Sequence, residues 1–203
     1  MYPLRILQVA HSFPPYTNLG TEVYTYNLSK ELSKKHNVFI FHRINDLSKR
    51  EYEILYNNSR GLDIYAINNT FKEYKSFEDT YKNEIIGERF VQVLDQIKPD
   101  IVHIQHLLYL SLSLIEEIKK RKIPIIFTLH DYWLICPQGQ LFRSNFNNCD
   151  NNDYLECISC IPHHLSIRKN VFDYYLFLNK IMTDCLVQFI KNNYLNYTKA
   201  TFL

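Results

Sequence analysis

Short apolar runs and longer amphipathic stretches alternate along this chain, and the alternation predicts its elements. The apolar runs predict strands at Leu4–Ala10, Asn37–Arg43, Leu62–Ile67, Asp100–Ile104, Ile125–Leu129 and Asp184–Ile190. The stretches between and beyond them predict helices over residues 18–36, 78–98, 111–121 and 171–182. Residues 45–59 are polar and charged, which predicts a surface helix or loop. Strands that alternate with helices are typical of an α/β domain with a doubly wound, mostly parallel sheet.

Two local patterns add detail to the predicted helices. Tyr24, Leu28 and Leu32 recur every four residues, and this spacing predicts the buried stripe of the first helix. Ser111 or Ser113 is predicted to cap the third helix, and Ser113 with Glu116 fits a capping box.

Polar residues follow two of the predicted strands at the point where each strand ends. The run Ile125–Leu129 has the character of a central strand buried on both faces, and it ends in His130 and Asp131. The strand Asp100–Ile104 leads into His106. Ligands of open α/β sheets bind at the carboxyl ends of strands, so these three residues are candidates for a functional site. The alternative for Asp131 is an ordinary role as the N-cap of a helix.

Composition and charge narrow the range of functions. A chain of 203 residues suits one large domain or a domain plus an appendage, and 46% hydrophobic residues are ample for a core. We expect a single domain over 1–203. A net charge of +2 without a basic stripe argues against binding to nucleic acid. No run of about 18 apolar residues predicts a transmembrane segment, and the first residues lack the pattern of an export signal. We therefore expect a cytoplasmic protein, with a peripheral position at the membrane as the alternative.

Four of the five cysteines fall in a polar stretch with no apolar period, which predicts a cysteine-rich loop over about 136–162. They are Cys136, Cys149, Cys157 and Cys160. A structureless loop of this length is uncommon unless something holds it. The last two cysteines have the spacing that forms half of many zinc sites, and four thiolates complete a tetrahedral structural site. The sequence predicts structural zinc here, with an iron–sulfur cluster as the less favoured metal and chance clustering as the alternative.

Several ordered motifs resemble a known family of enzymes. They are HSFPP after the first strand, LGTE at the start of the first helix, PDIVHIQH, and TLHDYWLICPQGQLF followed by further cysteines. The last motif is the most specific of the four. Together they resemble the N-terminal domain of a retaining glycosyltransferase of the family-4-like group with the GT-B fold, which has a Rossmann-like sheet.

This resemblance implies that the chain binds the sugar or glycan acceptor of a nucleotide-sugar-dependent transferase. The matched motifs nominate substrate-binding residues, namely His11, Gly20, Thr21, His103 and Gln105, and catalytic residues, namely His106, His130 and Asp131. Gln105 stands where many relatives have histidine; its amide can hydrogen-bond a sugar hydroxyl but cannot act as a base. The alternative for His103 is a core histidine, and for Gly20 a simple turn before the helix.

The resemblance also implies a C-terminal domain that binds the nucleotide-sugar donor, and we expect this domain to be absent from these residues. The family's two donor-binding glutamates lie eight positions apart, and no such pair occurs here. We therefore expect an acceptor-binding half that is inactive alone. The alternatives are a non-catalytic, metal-stapled binding module or a split-enzyme subunit whose partner chain brings the donor domain. A dinucleotide-dependent enzyme is disfavoured, because Gly-x-Gly-x-x-Gly is absent and the second strand ends without an acidic residue.

Overall fold

The computed structural model of the chain describes residues 2–76, 78–136, 139–143 and 147–150. The chain forms two compact units, Met1–His130 and Asp131–Leu203. The sheet and its helices belong to the first unit. The predicted helix over 171–182 and the predicted strand Asp184–Ile190 lie outside the described residues.

Six strands form one sheet in the first unit. They are β1 Arg5–Ala10, β2 Asn37–Ile44, β3 Ile54–Ser59, β4 Leu62–Asn68, β5 Ile101–Ile104 and β6 Ile125–Phe127. Their order is β3-β4-β2-β1-β5-β6. Only β3 and β4 pair antiparallel, and the other neighbours pair parallel. The predicted α/β class with a mostly parallel sheet is confirmed.

Three α-helices connect the parallel strands, namely α1 Gly20–Leu32, α2 Glu84–Ile97 and α3 Ser113–Lys120. The helix α1 covers the face of the sheet that carries Ile6 and Ile40, where Tyr26 packs on the core. The opposite face carries Phe41, whose ring centroid lies 4.9 Å from that of Phe90 in α2. Helices on both faces therefore bury the sheet between two layers.

The strand order reverses at β1, and this reversal locates the ligand edge of the sheet. From β1 the chain passes through α1 to β2 on one side, and after α2 it returns to β5 on the other side. The carboxyl ends of β1 and β5 thus flank a topological switch point. Open α/β sheets bind ligands in the crevice outside such a point.

The surface helix or loop predicted for residues 45–59 is wrong for its second half, where β3 forms. Residues Tyr56, Asn57 and Asn58 of β3 are exposed, so an alternating apolar pattern is missing from the sequence. The strand is held instead by its pairing with β4 across a tight turn. Arg60 and Gly61 in that turn both have positive φ, a conformation that glycine adopts without a steric penalty.

Of the two serines predicted to cap α3, Ser113 is the wrong one, and the bond to the helix end comes from Ser111. The helix begins at Ser113 itself, with Leu112 as its N-cap residue. The hydroxyl of Ser111 accepts hydrogen bonds from the backbone N–H groups of Ser113 at 3.1 Å and Asn83 at 2.9 Å. A serine two positions earlier therefore satisfies the helix end, and it also ties α3 to the start of α2.

The strand predicted at Ile125–Leu129 forms only over Ile125–Phe127, and its predicted burial is wrong. Ile126 is 47% exposed and Leu129 is 61% exposed. Among the described strands β6 is last in the order rather than central. An apolar run alone does not distinguish a central strand from one that has a single described neighbour.

Candidate functional site

The alternation of side chains along the strands places a polar group on the α1 face at the carboxyl half of the sheet. Gln8 of β1 lies beside His103 of β5 in register. His103 in turn lies beside Ile126 of β6. Because residues two apart share a face, Gln105, Thr128 and His130 belong to the same side. The chain thus brings polar residues from three neighbouring strands, or from just beyond them, to one face.

The buried residues of the helix α1, on the same side of the sheet, are polar as well. The predicted stripe of Tyr24, Leu28 and Leu32 is wrong: Tyr24 is 45% exposed, while Glu22, Thr25 and Ser29 are the buried positions. The spacing of three and four residues is still helical, but the buried residues are polar. A polar face on α1 matches the polar half of the sheet that it covers.

Glu22 organises the loop that follows β1. Its carboxylate is 1% exposed, and Oε1 lies 3.1 Å from His11 Nε2 and accepts a hydrogen bond from the hydroxyl of Thr17 at 2.9 Å. Glu22 also stands in the first turn of α1, where the helix dipole favours a negative charge. The contacts with His11 and Thr17 and the helix dipole compensate for burial of the carboxylate.

His106 joins the same cluster from the loop after β5. Its ring centroid lies 4.7 Å from that of His11. His106 Nδ1 accepts a hydrogen bond from the backbone N–H of Leu108 at 3.0 Å, so Nε2 carries the proton when the ring is neutral. His11, Glu22 and His106 therefore form one cluster at the switch point between β1 and β5.

The loop that carries His106 is tied to the end of β2 by an arginine between two aromatic rings. Arg43 Cζ lies 4.6 Å from the ring centroid of Phe71 and 5.0 Å from that of Tyr109. Both aromatic residues have positive φ, which is rare for residues other than glycine. The amide nitrogen of Asn69 also donates to the carbonyl of Tyr109 at 2.9 Å. These contacts hold the loops after β4 and β5 together above the sheet.

His130 is held by a chain of two glutamine side chains. Its Nε2 lies 2.7 Å from Gln105 Oε1, and Gln105 Nε2 donates to Gln8 Oε1 at 2.9 Å. The ring of Tyr24 packs edge-on against His130, with centroids 4.9 Å apart. Gln105 is fully buried, so both ends of its amide are used within the protein rather than presented to solvent.

His103 lies deeper in the same polar group. Its Nε2 is 2.7 Å from the hydroxyl of Thr128. Burial lowers the pKa of His103, and the neighbouring His130 lowers it further. A neutral, half-buried ring bonded to a threonine fits the core-histidine alternative better than direct contact with a ligand.

Gly20, which is exposed, and Thr21, which is partly buried, form the start of α1. Leu19 is the N-cap residue and makes no side-chain capping bond, and it is 69% exposed. No described atom lies within 4 Å of the position that a Cβ at Gly20 would occupy. The first N–H groups of α1 therefore point out of the helix end, where the dipole favours an anion.

Asp131 belongs to the second unit and organises a turn there. Its Oδ1 accepts a hydrogen bond from the backbone N–H of Trp133 at 2.8 Å. A Cβ at Gly139 would lie 3.7 Å from the Asp131 carboxyl carbon, an ordinary contact distance, so it is the φ of +68° that favours glycine there. No α-helix follows Asp131 in the described residues, so this bond belongs to a turn and the N-cap alternative is not found there. The predicted catalytic role of Asp131 stays a prediction.

The predicted metal site remains untested, because Cys157 and Cys160 lie outside the described residues. Cys136 and Cys149 are both partly buried. In the described part of the chain, no group of three or more His, Cys, Asp or Glu residues is arranged to hold a metal ion. Most of the predicted loop over 136–162 is likewise outside the described ranges.

Sequence reasoning missed Glu22, Gln8 and Tyr24. Glu22 is a charged residue at the start of a helix, where solvent exposure is usual, and yet it is buried. Gln8 is a buried glutamine within an otherwise apolar strand. A glutamine inside an apolar strand was the available signal for Gln8, because such a residue needs a buried partner. The edge-on contact of the exposed Tyr24 with His130 has no such signal in the sequence.

Comparison with known proteins agrees with this architecture. The model of Glycosyltransferase Family 4 matches residues 19–156. The chain belongs to this family, whose members are glycosyltransferases. It is also 30% identical over 151 residues to the "Uncharacterized 42.6 kDa protein in cps region" of Klebsiella pneumoniae. That alignment covers 70% of this chain and 40% of the relative, so the chain spans well under half of the relative's length. No helix within the described residues is long and apolar enough to cross a membrane.

Proposed function

We propose that this chain binds the acceptor in a retaining transfer of a sugar from a nucleotide-sugar to a glycan or another hydroxyl acceptor. The observation that carries the proposal is the cluster of His11, Glu22 and His106 at the switch point between β1 and β5. Imidazole and carboxylate groups at such an edge are suited to bind the hydroxyl groups of a sugar. His130 follows β6 at the same edge and adds a further polar group.

The contribution of these residues to the reaction would be positioning. In a retaining transfer from a nucleotide-sugar, the departing phosphate takes the proton of the acceptor, so a strong protein base is not required. Holding an acceptor hydroxyl against the anomeric carbon lowers the barrier by roughly 7–11 kcal/mol in favourable cases. His106 and His130 would orient the hydroxyl, and the Glu22–His11 pair would fix the loop after β1.

The donor would be bound mainly by a separate domain, in the same polypeptide or in a partner chain. The start of α1 at Gly20 and Thr21 offers it a helix end that favours the diphosphate. In this proposal the protein works in the cytoplasm, or peripherally at the membrane where a lipid-linked acceptor would be met.

Ligand titration monitored by NMR tests the acceptor role. A ¹⁵N-labelled chain is titrated with methyl glycosides of hexoses, hexosamines and hexuronic acids. We expect shift changes confined to residues 11–24, 105–112 and 128–130, and we expect His106→Gln to weaken binding about tenfold, which is 1.4 kcal/mol. His36→Gln is the matched control, because His36 precedes β2 at the opposite edge of the sheet. Shift changes centred on the amino edge would contradict the proposal.

The four cysteines are proposed to bind one structural zinc ion. Elemental analysis of protein purified without metal-affinity resins should give about one equivalent, and Cys157→Ser should lower this content. The zinc–sulfur distances should be about 2.3 Å by X-ray absorption. Four titratable thiols in metal-free, folded protein would show that the loop is held in another way.

A further inference from the structure

Gln105 was nominated from the sequence as a sugar ligand, but its surroundings give it another task. Both Gln105 and Gln8 are 0% exposed, and they are bonded to each other and to His130. We propose that Gln105, anchored by Gln8, is a positioning residue that holds His130 as the Nε2–H tautomer, with the lone pair of the neutral ring on Nδ1. The catalytic meaning of this inference rests on the proposed function, whereas the tautomer is measurable without any ligand.

The direction of the hydrogen bonds sets the tautomer. In this orientation of the Gln105 amide, Oε1 faces His130 Nε2 at 2.7 Å, and because an amide oxygen only accepts, Nε2 carries the proton. A neutral imidazole has one N–H group, so its other nitrogen, Nδ1, holds the lone pair. If both amides were turned over, every bond in the chain would reverse and His130 Nε2 would become an acceptor. The two amide orientations therefore predict opposite protonation states for His130 Nε2.

A buried glutamine at position 8, in the middle of β1, is an unusual choice of residue. Gln8 lies in β1 between Leu7 and Val9, both 0% exposed. Its amide nitrogen has no hydrogen-bond partner among the described residues. A buried amide with an unsatisfied donor destabilises a fold compared with an apolar residue of similar size. A role in fixing Gln105 accounts for a glutamine at this position.

A ring contact also restricts His130. Tyr24 of α1 packs edge-on against it, at 70° between the ring planes and 4.9 Å between the centroids. His103 of β5 lies on the same face of the sheet and is bonded to Thr128. Burial lowers the pKa of His103, which favours its neutral form. The bond to Gln105 and the contact with Tyr24 thus act together on the orientation and the protonation site of the His130 ring.

The consequence concerns how His130 is presented at the carboxyl edge of the sheet. With the proton held on Nε2 by Gln105, the neutral ring keeps its lone pair on Nδ1. Gln105 thereby sets the protonation site of His130 without touching a ligand.

Nuclear magnetic resonance of the chain labelled with ¹⁵N-histidine tests the inference. The wild-type protein at pH 7.5 should show His130 Nε2 as a protonated nitrogen, with a slowly exchanging proton. Gln105→Met keeps the size of the side chain and removes the acceptor, so this proton should exchange at least tenfold faster. Gln105→Glu keeps an acceptor and should retain the slow exchange. Gln96→Met, at an exposed position in α2, should change nothing.

The pair of Gln105 variants separates positioning from packing. If the role of Gln105 were purely structural, Gln105→Met would be tolerated and the buried carboxylate of Gln105→Glu would be harmful. Positioning predicts the reverse. Gln8→Met should accelerate the exchange less than Gln105→Met, and the double variant should add little, because both residues act through one chain. A proton on Nδ1 in the wild-type protein, or slow exchange that survives Gln105→Met, would overturn the inference. A failure to bind methyl glycosides would refute only the acceptor role.

Discussion

At the scale of single residues, His42 shows how burial converts one side chain into a pH-dependent element of stability. It lies at the end of β2, 1% exposed, with ring centroids of Phe13 and Tyr16 at 5.8 Å and 5.7 Å. Its Nδ1 is 3.0 Å from the carbonyl of Arg43 and donates to it. Burial lowers the pKa of His42 to about 4, against 6.5 for an unperturbed histidine. The folded protein therefore keeps this ring neutral where the unfolded chain protonates it.

The sign of the resulting pH dependence follows from that difference. Above pH 6.5 the ring is neutral in both states, and the stability contribution is complete. As the pH falls from 6.5 towards 4, the unfolded state gains a proton that the folded state resists, and stability falls by about 1.4 kcal/mol per pH unit. Between pH 7 and pH 5, the free energy of unfolding measured by urea titration should fall by about 2 kcal/mol less in His42→Gln than in the wild type. Parallel losses in the two proteins would contradict this prediction.

At the scale of elements, the contact between α2 and α3 depends on a glycine. A Cβ at Gly87 would lie 2.9 Å from the Cβ of Ser113, closer than real Cβ atoms approach. Alanine stabilises a helix interior by about 1 kcal/mol relative to glycine, but overpacking costs about 1–3 kcal/mol. We expect the overpacking to prevail and Gly87→Ala to lower the free energy of unfolding by about 1 kcal/mol, as measured by urea denaturation.

Two variants control that prediction. Gly20→Ala places the same methyl group at the open start of α1, where no described atom is within 4 Å, and it should leave stability unchanged or slightly higher. Ser113→Gly removes the Cβ with which the new methyl group would clash, so Gly87→Ala should lower the free energy of unfolding by less in that background. An equal loss of stability in the wild-type and Ser113→Gly backgrounds would contradict the clash and mean that α2 and α3 move apart without a penalty.

The elements that sequence predicts well are those in which burial and pattern agree. The strands β1, β2, β4 and β5 are apolar runs in a sheet covered on both faces, and the apolar spacing of α2 matches its buried side. The strand β3 was missed because backbone pairing, rather than burial, holds it. The buried face of α1 was misplaced because Glu22 is polar and its compensating partners, His11 and Thr17, come from a loop. Long-range polar compensation of this kind leaves no period in the sequence.

At the scale of the whole molecule, membership in Glycosyltransferase Family 4 and the geometry of the carboxyl edge support one division of labour. The described residues bring imidazole groups to this edge, and imidazole suits the hydroxyl groups of an uncharged polyol. The start of α1 favours a diphosphate, but no arginine or lysine belongs to the cluster of His11, Glu22 and His106. The proposed acceptor role therefore fits these groups better than donor binding does.

The last prediction is that a polypeptide of these 203 residues binds nucleotide-sugars weakly and transfers no sugar by itself. The start of α1 supplies only about half a unit charge to a diphosphate, and the exposed Leu19 stands beside it. No two glutamates eight positions apart occur in the sequence to hold the donor. Without a fixed donor, the roughly 7–11 kcal/mol available from aligning the two substrates is lost. Calorimetric titration should give dissociation constants of about 1 mM or weaker, which is about −4 kcal/mol, and a radiolabel assay should show no transfer. Micromolar donor affinity, or turnover without an added chain, would show that these residues bind the donor as well as the acceptor.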